Sequence, residues 1–326
     1  MFPYVKKTIR QINHIRIEYF LKQIQLWRLI VNIGFIGLGS MGIHMATNLI
    51  RKNNNLIVYD INDKSTELIC DLGATKANSP REVCIQANLI FTSLPNPKVL
   101  EEVALGEGGI INNCQLGSTL FDLSTTDPNT IEKIAEAGKS KKINILDAPV
   151  SGGTNGAKNA TLCIMVGGDK LIFEKYKYIL DILGNQVMYC GPIGAGSICK
   201  IANNLIGMSL VVILAEAFSL GVKCGVDPSI LYKAISMSSG NSTQMARYPD
   251  TVFKGDFSPG FKLELGAKDV SLATQLGREK NIPLDISNLI HQKYVEAMNK
   301  GLSKESNLAI TKIQEEKSGI TIRSDK

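Results

Sequence analysis

Histidine is scarce in this chain: His14, His44 and His291 are the only ones among 326 residues. A metal site built on imidazole has almost no material to draw on. The seven cysteines include no C-x-x-C pair, are odd in number and sit in apolar stretches. This argues against a disulfide framework and reads as reduced, mostly buried thiols in a reducing compartment. Basic residues are also in short supply once the first thirty positions are set aside. Of the formal net charge of +6, residues 1–30 contribute +5 through Lys6, Lys7, Arg10, Arg16, Lys22 and Arg28 against Glu18, leaving +1 for the remainder. No basic face is left to serve nucleic acid. Internal repeats, low-complexity tracts and a Gly/Ser linker are absent as well.

The first thirty residues stand apart. They are basic, nearly free of acids, and apolar at Val5, Ile9, Ile12, Ile15 and Tyr19, a helical spacing. This is the pattern of a cationic amphipathic leader of the mitochondrial type, which places the mature protein in the matrix. Its apolar runs are too short to span a bilayer.

From Val31 to about Cys190 short apolar runs alternate with helix-length amphipathic ones. VNIGFIGLG, LIVYD, NLIFTSL, STLFDLS and INILDAP predict strands, and TLCIMVG and QVMYC two more. Helices are predicted over Met41–Asn53 and Asp127–Lys139, the latter with Asp127 as N-cap and Pro128 at N1. Such alternation means an α/β fold, a parallel sheet with helices on both faces. Beyond Gly196 the chain reads as helical. One helix is expected from Ser197 to Val222, with a middle, LIGMSLVVILA, that is apolar on every side and so should be buried among other helices. Glu216 and a polar start argue against a membrane span. The segments are a leader at 1–30, a sheet domain at 31–193 and an all-helical domain at 194–326.

Chemistry gathers at a few points. GFIGLGSMG (34–42) sets Gly37, Gly39 and Gly42 in G-x-G-x-x-G order between a strand and a helix. That arrangement gives a tight turn, an open backbone for a pyrophosphate and close helix–strand packing, with the phosphate at the positive end of the helix. Asp60 ends the next strand, where a carboxylate accepts ribose hydroxyls and repels a 2′-phosphate, which points to NAD. Leu94-Pro95 and Ser124-Thr125 are strand ends along the path of such a dinucleotide. In GPIGAGSICKIANN (191–204) Lys200 and Asn204 share one helix face, an ammonium and an amide one turn apart. None of the nine tyrosines has Lys four residues on, so a Tyr–Lys pair is missing, and His44 and His291 read as packing or surface positions.

GFIGLGSMGIHMATNL, DAPVSGG (147–153), GPIGAGSICKIANN and AKDVSLA (267–273) together resemble the β-hydroxyacid dehydrogenase family. The resemblance implies an N-terminal Rossmann doubly wound sheet, a long interdomain helix opening an all-α domain that also builds a homodimer or homotetramer, and NAD-linked oxidation of a small 3-hydroxy acid. It implies that Lys200 is catalytic, that Asn204 holds substrate, and that Ser151, Gly152 and Gly153 take its carboxylate. It places Leu38, Met41, Leu94, Pro95, Val99, Thr125 and Lys268 along the cofactor. The leader, Asp60 and SMSSG (236–240) look like 3-hydroxyisobutyrate dehydrogenase, whose product is methylmalonate semialdehyde in valine catabolism. The stretch NSTQMARYPDTVFKGDFSPGFKLEL (241–265) is closer to relatives that reduce tartronate semialdehyde, glyoxylate or succinic semialdehyde. A binding module that keeps the fold without the lysine is disfavoured by Lys200. No metal, nucleic acid or membrane is expected.

Overall fold

In the computed structural model, which describes residues 31–52 and 54–324, nine strands form one sheet. The strands are β1 (Ile33–Ile36), β2 (Leu56–Tyr59), β3 (Thr75–Lys76), β4 (Leu89–Thr92), β5 (Thr119–Asp122), β6 (Asn144–Asp147), β7 (Val150–Ser151), β8 (Cys163–Gly167) and β9 (Gln186–Gly191). Their order is β3-β2-β1-β4-β5-β6-β8-β7, with β9 pairing in parallel with β8 off this path. Strands β1 to β6 pair in parallel; β8 runs antiparallel to β6 and β7. The order reverses between β1 and β4, which makes the crevice beyond their carboxyl ends the expected ligand position in such a sheet. The expectation for residues 1–30 lies outside the described residues.

Burial on both faces explains why these strands read as unbroken apolar runs. The register aligns Phe35, Phe91 and Phe121 on adjacent strands, with successive ring centroids 6.2 and 5.6 Å apart. Helices Gly42–Arg51 and Lys170–Leu180 cover this face, while Pro80–Gln86, Pro97–Leu105 and Pro128–Ser140 cover the other. The Asp127 carboxylate caps the last of these by accepting from the Thr130 N–H at 2.9 Å. Two strands went unread in the sequence. β3 and β7 are two residues each, too short to show a period.

The long helix runs Ala195–Lys223, 29 residues. It packs against β8 and β9 at its start and later against helices Leu263–Glu279, Asp285–Asn299 and Ile310–Ser318. By length and hydropathy alone it would suffice to cross a membrane. Within one chain its burial is one-sided, so the other helices of this chain do not by themselves supply the all-round cover expected. Val211, Val212, Leu214 and Phe218 are inside the helical core, whereas Ile206, Ile213 and Leu220 are 64%, 54% and 68% exposed. These three recur every seven residues and so form one outward stripe. The cysteines need a correction too. All seven are free, but only Cys84 is buried, and Cys199 and Cys224 are exposed because they lie on the outer side of this helix and at its end.

Candidate active site

The phosphate turn comes first. Gly37 has φ +99°, and a Cβ there would stand 2.3 Å from Ser93 O, so only glycine suits the position. A Cβ on Gly42 would meet Gly37 O at 2.0 Å, whereas one on Gly39 would meet no atom within 4 Å. The turn is closed where helix meets strand and open where a pyrophosphate would approach. Met41 occupies the N-cap position of helix Gly42–Arg51 without a side-chain cap, and no acid lies in the first turn. The positive end of that helix is thus left for an anion. Asp60 accepts from Leu38 N at 2.5 Å and from Asn62 N at 2.7 Å, which fixes the carboxylate at the end of β2. A carboxylate has about four acceptor sites, so capacity for ribose hydroxyls remains. These residues fit a nicotinamide dinucleotide.

A chain of contacts leads from this turn to the helical half. A Cβ on Gly37 would lie 3.1 Å from the Leu94 side chain, and Leu94 N donates to Ser124 Oγ at 2.8 Å. The next residue, Thr125, accepts from Lys268 Nζ through its carbonyl at 2.9 Å. Pro95 is exposed, and Val99 sits in the first turn of helix Pro97–Leu105 with its N–H on Asn96 Oδ1 at 3.0 Å. Lys268 reaches the sheet from helix Leu263–Glu279, and its neighbour Asp269 accepts from Asn204 Nδ2 at 2.6 Å.

Lys200 and Asn204 are each 7% exposed, on the inner side of the long helix. Among the described residues nothing accepts a hydrogen bond from Lys200 Nζ. Burial lowers its pKa from the usual lysine range to about 8; the Asp269 carboxylate opposes that shift and Lys268 adds to it. Cys163 also faces Lys200 and is the ladder partner of Ser151. Ser151 therefore stands on the strand beside the lysine, followed by the exposed turn of Gly152 and Gly153 at φ +132° and +64°.

Three carboxylates escaped the sequence reading. Asp147 opens the DAPVSGG segment; its oxygens accept from Gly194 N at 2.8 Å and Ser197 N at 2.6 Å, which secures the start of the long helix to the end of β6. The approach is close enough that a Cβ on Gly196 would meet Met165 O at 2.2 Å. Asp122, its register neighbour on β5, accepts from Thr92 Oγ1 at 2.7 Å and Ser124 Oγ at 2.6 Å. Burial raises the pKa of both, that of Asp122 to about 6. The third is Asp269. An acid ending an otherwise apolar strand, and one beside an expected site lysine, were the available signals. Among the described residues no group of three or more His, Cys, Asp or Glu is placed to hold a metal.

Residues 32–191 match the family model for the NAD binding domain of 6-phosphogluconate dehydrogenase, and residues 194–313 that for the NAD-binding domain of NADP-dependent 3-hydroxyisobutyrate dehydrogenase. The 2-(hydroxymethyl)glutarate dehydrogenase of Eubacterium barkeri is 37% identical over 293 residues, 90% of this chain and 97% of its own length. The chain belongs to the β-hydroxyacid dehydrogenase family. It is accordingly a nicotinamide-dependent enzyme acting on a CH–OH group. The mitochondrial 3-hydroxyisobutyrate dehydrogenase of Homo sapiens is 36% identical over 279 residues, 83% of each chain. Among solved structures, 3-hydroxyisobutyrate dehydrogenase from Salmonella typhimurium superposes with a TM-score of 0.79 at 27% identity, covering 87% of this chain and 99% of that one.

Proposed function

We propose that this dehydrogenase oxidises 3-hydroxyisobutyrate to methylmalonate semialdehyde with NAD, and that Lys200 is its acid–base group. The observation that carries the reading is Lys200 itself, a buried lysine whose pKa is lowered to about 8 beside an amide and a carboxylate. Bound NAD supplies the hydride acceptor. In the oxidation, neutral Lys200 takes the hydroxyl proton while Asn204 donates to the same oxygen; in reverse, the ammonium returns that proton. Ser151, Gly152 and Gly153 bind the substrate carboxylate through hydroxyl and backbone N–H donors. Leu38, Met41, Leu94, Pro95, Val99, Thr125 and Lys268 border the coenzyme, and Asp60 selects NAD over NADP by repelling a 2′-phosphate. Because the base must be neutral, oxidation speeds up as pH rises through the Lys200 pKa, and reduction slows.

A second substrate is favoured by the relative that acts on 2-(hydroxymethyl)glutarate. That acid and 3-hydroxyisobutyrate both carry a primary alcohol on the carbon next to the one bearing the carboxylate, so one Lys200 geometry serves both. NADH formation with a panel of 3-hydroxy acids separates them. We expect the highest kcat/KM with 3-hydroxyisobutyrate; a tenfold preference for the dicarboxylate would overturn the first reading and leave the chemistry intact.

The stripe of Ile206, Ile213 and Leu220 supports assembly into a homodimer or a dimer of dimers through the helical half. Light scattering of Ile213→Asp should show a monomer where the natural chain shows a dimer. The charge pattern of residues 1–30, together with mitochondrial relatives in Dictyostelium discoideum and Homo sapiens, supports a matrix location, which a reporter fused to those residues tests.

A further inference from the structure

Asp269 is 2% exposed, and its two oxygens have different partners. Oδ2 accepts from Asn204 Nδ2 at 2.6 Å, while Oδ1 accepts no hydrogen bond among the described residues and forms an ion pair with Lys268 Nζ, 3.1 Å away. An ionised carboxylate only accepts, so the group presented to it must be the NH2 end of the Asn204 amide. That settles which way the amide points. One N–H is committed to Asp269, the amide oxygen accepts from Asn203 Nδ2 at 3.1 Å, and the second N–H remains to donate elsewhere. On its other side the carboxylate pairs with an ammonium that is also anchored to Thr125 O at the sheet edge.

We propose that Asp269 is the positioning residue of this site, one carboxylate that orients the Asn204 amide toward the substrate oxygen, pairs with Lys268 and sets the field at Lys200. The proposal rests on the reading of Lys200 as the base. The charged and titratable groups facing Lys200 are Asp269 and Lys268 from helix Leu263–Glu279 and Cys163 from β8. Asp269 holds the proton on Lys200; Lys268 pushes it off. Neutralising Asp269 removes the attraction and at the same time leaves the Lys268 charge unmasked. Both changes act in the same direction, making Lys200 a weaker base.

The test is the pH profile of kcat/KM for 3-hydroxyisobutyrate oxidation at saturating NAD, on the full chain. Asp269→Asn should move the midpoint of the rising limb about one unit to lower pH. It should also raise KM for the hydroxy acid while KM for NAD stays within about twofold. Asp269→Glu retains the charge on a longer stem, so the midpoint should stay put while KM for the hydroxy acid rises. NADH binding followed by fluorescence reports that each variant is folded. A folded Asp269→Asn that loses activity with an unmoved midpoint overturns the proposal, because a merely structural role predicts that outcome. Should Asp269→Asn not fold, a midpoint shifted in Asp269→Glu by half a unit or more overturns it equally. Lys200→Arg separates the two readings. If that variant keeps both turnover and limb, the assignment of Lys200 fails; if it is dead and the Asp269→Asn limb is unmoved, Asp269 alone fails.

Discussion

The two halves of the molecule treat buried carboxylates differently. In the sheet half Asp122 and Asp147 are wholly buried and accept hydrogen bonds only from neutral hydroxyl and backbone N–H groups. In the helical half Asp269 is as deeply placed but lies against Lys268 and faces Lys200. The first arrangement fixes geometry: Thr92, Ser124 and the start of the long helix are held where the strands end. The second sets charge. Burial without a cation raises a carboxyl pKa, while a carboxylate beside a lysine works against desolvation of that lysine. Placement along the fold thus decides whether an aspartate acts as a clamp or as an electrostatic neighbour.

Lys200→Ala should break the helical half's contribution most severely. Turnover should fall by about two to four orders of magnitude with NAD affinity retained, as steady-state kinetics and NADH fluorescence would show. In the sheet half, Asp147→Ala should leave the Gly194 and Ser197 N–H groups without acceptors. A loss of about 2–4 kcal/mol follows, readable as a lowered midpoint in urea, with kcat reduced because the turn carrying Lys200 loses its anchor. Asp60 offers a test confined to coenzyme choice. Asp60→Ser combined with Ile61→Arg should shift the ratio of kcat/KM for NAD over NADP by at least tenfold toward NADP, without altering the Lys200 limb.

The smallest effect belongs to Asp122. Its folded pKa of about 6 exceeds the unfolded value of about 3.9. Between those values the native state binds more protons than the unfolded state, so the contribution of this group to stability falls as pH rises from about 4 to about 6 and stays low above. Asp122→Asn, which cannot ionise, should gain on the natural chain by about 1–2 kcal/mol across that window. Denaturation midpoints at the two ends measure it. A difference independent of pH would mean that Asp122 is not the titrating group and that the contrast between the two halves is smaller than drawn.

Legibility in the sequence followed the range of the interaction. G-x-G-x-x-G, the Asp60 strand end and the Lys200–Asn204 spacing all depend on residues a turn or a strand apart, and each lies where its local pattern implied. The seven longer strands were readable because burial on both faces writes an apolar run into the chain. Tertiary structure alone decided the rest. Asn204 meets Asp269 across 65 positions, and Asp147 meets Ser197 across 50, and no local period encodes either pairing. Nor does composition show that an apolar helix leaves Ile206, Ile213 and Leu220 uncovered, since that depends on which neighbours fold over it. The lysine at position 200 was written in the sequence. Its lowered pKa was not, because desolvation and the fields of Asp269 and Lys268 come into being only when the two halves close around it.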